Sequence, residues 1–164
     1  MTCFWDGILV GLKQFPEFNM QSMTRPNFIL FCKEHCDVML DKYKYVVCEG
    51  FEQNIRDVPE NTEEFNLNNA GICDKELETH HIPRIKELWD KDEIDGYNCS
   101  PCDSFLLFLC CYFEINIHYK TKDWNGTDVQ ICYLYEHPEK GYKNNKALFF
   151  KSSKSHFTYV SYVQ

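Results

Sequence analysis

The chain has 164 residues, 44% of them hydrophobic and 16% aromatic, with a net charge of −8. That is enough apolar material for one domain, 1–164, with a packed core, and it excludes a disordered chain. The charge excludes nucleic acid and anionic membrane as expected partners, since both are held through a basic face; a basic protein or peptide tail stays compatible.

The first element, Cys3 to about Phe15, reads as a helix, because Phe4, Ile8, Leu12 and Phe15 recur at helical spacing. Cys3, Gly7 and Gly11 form a second stripe on it. The two glycines cost helix stability but allow another element to approach closely. Pro16 ends the helix, and Thr24-Arg25-Pro26 opens a second one, with proline in its first turn. Phe28, Phe31, Cys32, His35, Val38 and Met39 are its expected buried stripe.

Residues 41–73 have little periodicity and are acidic and Asn-rich. They read as a long loop with a short helix around Thr62 to Leu67. Asp74 to Trp89 reads as partly helical and interrupted at Pro83, with His80 and His81 solvated. Ser100-Pro101-Cys102-Asp103 is a helix start: cap, first-turn proline, early acid. The apolar helix Ser104 to Phe113 follows. Ile115 to Tyr119 alternates like a strand, Asn125-Gly126 signals a turn, and Val129 to Tyr135 is a second strand. Ala147 to Phe150 and His156 to Val163 form a hairpin pair. Helices first, then one helix and several strands, predict an α+β fold with N-terminal helices packed on a mainly antiparallel sheet formed by the C-terminal half.

The ten cysteines are expected to be reduced, since the sequence shows no leader with a basic region and an apolar stretch. No run of about 18 apolar residues predicts a membrane span. Most thiols read as small buried hydrophobes. Cys99 and Cys102 have zinc-knuckle spacing, but a tetrahedral site needs a second such pair. No metal and no other cofactor is expected.

Cys3 at a helix start and His156 in the last strand supply the two parts of a thiol hydrolase. Exposed amides and the helix dipole favour a thiolate at a helix N-terminus. A histidine in hydrogen-bond reach takes the thiol proton and later protonates the leaving group. Period two puts Thr158 on the same strand face as His156, where its hydroxyl can orient the ring. His118 and His137 read as surface or turn histidines.

Cys3-Phe4-Trp5-Asp6-Gly7-Ile8 resembles the nucleophile segment of the ovarian-tumour-type (OTU) cysteine proteases. Arg25 to Leu40 is similar to that family's second helix, and Ser104 to Tyr119 to its helix-then-strand unit. Phe149-Phe150 followed by His156-Phe157 is similar to its closing hairpin. The resemblance implies a papain-like, OTU-like fold and isopeptide hydrolysis, with Cys3 as nucleophile, His156 as general base and ubiquitin or a ubiquitin-like tail as substrate. The acidic loop is then expected to contact the substrate. The family pattern also carries Asp, Gly and Asn ahead of the cysteine, where this sequence has Met1 and Thr2. Backbone amides of that loop help build the family's oxyanion hole, with donors worth about 3 kcal/mol each, so part of that hole is expected to be missing. The usual Asp or Asn two residues after the histidine is Thr158 here.

That departure supports a second expectation: an inactive OTU-like fold serving as a structural or interaction protein among protein neighbours. The Asn-, Lys-, Tyr- and Phe-rich composition fits the AT-rich genome of a large DNA virus, where such a chain would be a minor capsid or virion component. A cytoplasmic location, host cytoplasm or virion, follows from either expectation.

Overall fold

A computed structural model of the chain describes residues 3–49, 77–87, 102–122, 125–137, 146–153 and 156–164. Helix α1 (Cys3–Leu12) is followed by a 3-10 turn at Pro16–Phe18, then α2 (Arg25–His35), α3 (Val38–Lys42), a second 3-10 turn and strand β1 (Val46–Glu49). A π-helical turn (Leu77–His81) leads into α4 (Ile82–Lys86). Helix α5 (Cys102–Phe113) precedes β2 (Asn116–Lys122), β3 (Asp128–Tyr135), β4 (Ala147–Ser153) and β5 (His156–Val163).

The strands form one five-stranded sheet in the order β1-β3-β2-β4-β5. Three junctions are antiparallel and one, β2 with β4, is parallel. The α+β class with N-terminal helices therefore holds, on a mixed sheet. The expected 41–73 loop is corrected at its start: α3 and a 3-10 turn run to Tyr45, and Val46–Glu49 is an edge strand paired with β3. Residues 50–73 of that stretch, with the expected short helix, lie outside the described residues. At Pro83 the segment stays helical but changes type: the π-helical turn Leu77–His81 gives way to α4, and Pro83 sits in the first turn of α4.

Alternation gives the sheet an apolar inner face. Ile117, Val129, Ile131, Tyr133, Leu148, Phe150 and Phe157 are all buried there. Helices α1 and α5 cover this face and touch each other through Trp5 and Phe105, with ring centroids 4.7 Å apart. The stripe on α1 is as its spacing predicts, with Phe4, Ile8, Leu12 and Phe15 buried; Trp5 and Leu9 are buried as well, so the helix is covered on more than one side. On α2 the buried residues are Phe28, Ile29 and Cys32, while His35 is exposed.

The glycine stripe of α1 has the role its sequence implies. A Cβ at Gly7 would stand 3.0 Å from the Phe157 ring and 3.4 Å from the Tyr159 amide nitrogen. At Gly11 it would stand 3.2 Å from Leu148. The helix axis lies close on β4 and β5 because these positions carry no side chain. Gly7→Val is expected to lower stability by about 1–2 kcal/mol through overpacking, despite the gain in helix propensity. Thermal unfolding monitored by circular dichroism checks it, and an unchanged midpoint would contradict the close approach.

Candidate functional site

The seam between α1 and β5 brings the two predicted catalytic segments to one end of the molecule. Phe4 packs on Phe157 with ring centroids 4.8 Å apart, Gly7 meets Phe157 and Tyr159, and Phe15 meets Tyr162 at 5.7 Å. The helix and the strand thus run the same way, and both begin at the end where Phe4 touches Phe157. Cys3 is the first residue of α1 and His156 the first of β5.

His156 and Thr158 are exposed, and Phe157 between them is buried against α1. Period two along β5 therefore sets the His156 and Thr158 side chains on the side of the strand away from α1. In register, His156 lies opposite Ser153 and Thr158 opposite Lys151. Lys151 in turn lies opposite Lys120 on β2. Beside this row is a cavity of about 500 Å³ lined by Lys120, Lys122, Lys151, Gln130 and Ser152 among others. Lys122 is tied to Asp128 at 2.8 Å, whereas neither Lys120 nor Lys151 makes an ion pair with the described residues. The surroundings of Thr158 are therefore basic within an acidic chain.

Two polar pairs escaped the sequence reading. His81 is not solvated: it is buried, and its Nδ1 lies 2.9 Å from the Ser104 hydroxyl, also buried. The signal was the apolar spacing of Leu77, Ile82 and Ile85 around it, which turns that side of the segment inward. The second pair is on the sheet face away from α1 and α5. His118 Nδ1 lies 3.2 Å from Cys132 Sγ, and Gln130 Nε2 donates to the same sulfur at 3.7 Å. The His118 ring stacks on Phe149, centroids 4.5 Å apart and planes 9° off parallel.

Four other thiols behave as core atoms, and Cys48 on β1 is half-buried. Cys32, Cys36, Cys110 and Cys111 are buried, and burial pushes each thiol above its ordinary range. Among the described residues no three His, Cys, Asp or Glu side chains converge as metal ligands; Cys99 lies outside them. No described helix is long and apolar enough to cross a membrane. His137 stacks beside Tyr45, with planes 15° apart.

Comparison with family models, curated proteins and solved structures finds no match to this chain.

Proposed function

We propose that the protein is an OTU-like thiol hydrolase acting on the isopeptide-linked tail of ubiquitin or a ubiquitin-like protein. The observation that carries this reading is the parallel seating of α1 on β5, which starts the helix headed by Cys3 and the strand headed by His156 at the same end. In this reaction the Cys3 thiolate attacks the carbonyl carbon, and an S–C bond forms. The tetrahedral intermediate collapses, the lysine amine leaves with a proton from His156, and water then hydrolyses the thioester with His156 as base. For this the His156 ring, set by period two on the side of β5 away from α1, has to turn over the start of the strand toward Cys3; Thr158, on the same strand face, is the acceptor that holds the ring before that turn.

A second reading rests on a specific observation. The sides taken by His156 and Thr158, away from α1 and beside Lys151 and Lys120, suit a non-catalytic interaction protein that presents this end of the sheet to an acidic neighbour. A virion component would be one such protein.

The test is incubation of the reduced protein with a ubiquitin probe bearing a C-terminal electrophile, with adducts read by intact mass and located by peptide. Wild type is expected to label on Cys3. Cys3→Ala should lose that adduct, and His156→Ala should form it more slowly by about 10²-fold or more. Unchanged labelling of Cys3→Ala would remove the nucleophile assignment. No adduct on a folded wild type would move the weight to the interaction reading.

A further inference from the structure

The Cys132–His118 pair is independent of the reading above. It lies on the sheet's other face from α1 and α5, since Ile117, Tyr119, Ile131 and Tyr133 on either side of the pair point into the core. The hairpin places the two residues directly opposite each other, and the contact between ring nitrogen and sulfur is 3.2 Å. We propose that Cys132 is a reactive thiol activated by His118, a modification site for small disulfides.

Each neighbour has a part in that chemistry. His118 takes the thiol proton, and the resulting ion pair is held by the short Nδ1···Sγ distance. The Gln130 amide donates to the sulfur, a contact that strengthens when the sulfur carries charge. Phe149 lies flat against the imidazole, and an aromatic face favours a cationic ring. The charged residues nearest in register are Glu49, opposite Cys132 on β1, Lys120, two residues along β2, and Lys151, opposite Lys120 on β4. Cys132 is buried, at 8% exposure, so the proposal is confined to small disulfides.

Other chemistries fit less well. Among the described residues, two side chains are too few for a tetrahedral metal site. Acyl transfer needs free amide donors for an oxyanion, and β3 is laddered on both sides. Disulfide exchange needs only a thiolate and a leaving thiol. The Cys132 thiolate attacks one sulfur of a small disulfide, a new S–S bond forms, and the old one breaks. The departing thiolate takes the proton held on His118. The balance is one thiol and one disulfide consumed, one mixed disulfide and one small thiol formed.

The experiment uses the full chain carrying Cys3→Ala, so that the proposed nucleophile does not compete. Glutathione disulfide is added between pH 6 and 9, and mixed disulfides are located by peptide mass spectrometry. Cys132 is expected to react about tenfold faster near pH 6.5 than in the further variant His118→Ala, with a flatter pH profile. His118→Gln keeps a polar group but cannot take a proton, and should be as slow as His118→Ala. Near-UV circular dichroism establishes that each variant is folded. Equal rates at Cys132 with and without His118, or no reaction at Cys132 in the folded chain, would overturn the assignment.

Discussion

Phe157→Ala should destabilise the protein by about 3–5 kcal/mol, the usual cost of removing a buried phenylalanine and leaving a cavity. The ring is 5% exposed and sits where three elements meet. Its centroid is 4.8 Å from Phe4 on α1, 4.9 Å from Phe150 on β4 and 5.6 Å from Tyr119 on β2. The site cannot collapse easily, because Gly7 already brings the helix backbone against it and offers no side chain to fill the space. Strand β5 is at the sheet edge, held by β4 on one side and by α1 across its face. Losing Phe157 loosens that second support at the end where His156 stands. The measurement is urea unfolding, with a lower midpoint and an unchanged slope. A loss under about 1 kcal/mol would mean that the seam is not a principal packing contact. The same variant bears on the proposed activity: Cys3 labelling by the ubiquitin probe should fall while the chain is still folded, because the seam is what sets Cys3 and His156 at one end.

Much of this seam was legible in the residues. The spacing of Phe4, Ile8, Leu12 and Phe15 marks one helix face, and the Gly7–Gly11 stripe marks where another element lies close. The missing information is the partner. Nothing local says that β5, rather than another strand, fills the groove, because that contact joins residues about as far apart in the chain as it allows. Strand β1 shows the same limit. Val46–Glu49 is four residues long, too short to show a period, and its extended form comes from pairing with β3. The parallel neighbour β4 of β2 is likewise a long-range choice.

The Cys132–His118 pair was out of reach for a related reason. A two-residue turn at Asn125–Gly126 would set Lys122 opposite Val129 and His118 opposite Tyr133. The strands instead pair Lys122 with Asp128 and His118 with Cys132, and a one-residue change of register changes which side chains meet on each face. For Cys3 and His156, the pairing of helix start with strand start was an expectation from the chemistry of a thiol and its base and from the resemblance, not from local spacing. Period two around the buried Phe157 supplied the direction of His156, which the resemblance alone did not.

Glu114→Ala should cost about 2–3 kcal/mol, because the carboxylate joins two elements and satisfies a buried hydroxyl. Lys42 Nζ donates to Glu114 Oε1 at 2.9 Å, and Tyr135 Oη donates to the same oxygen at 3.0 Å. Tyr135 is 1% exposed, so its hydroxyl has little access to water once the carboxylate is gone. Burial alone would raise the Glu114 carboxyl, but the hydrogen bonds from Lys42 and Tyr135 and the Lys42 charge outweigh it and hold the group below its ordinary value of 4.5. A depressed folded value means stability that is fully present above 4.5 and fades as the pH falls below it. Wild type and Glu114→Ala should therefore converge in stability as the solution is acidified below that value. On the alkaline side the Glu114 hydrogen bond holds the Lys42 ammonium above its ordinary 10.5, so that contribution persists until the pH rises past it. Glu114 also closes α5 in the left-handed region, at φ 54°, where any residue with a Cβ is strained. Glu114→Gly relieves that strain and should be about 1 kcal/mol more stable than Glu114→Ala. Equal losses in the two variants would mean that the backbone strain contributes nothing. Wild-type stability in Glu114→Ala at neutral pH would mean that the bridge from α3 through α5 to β3 does not hold the fold.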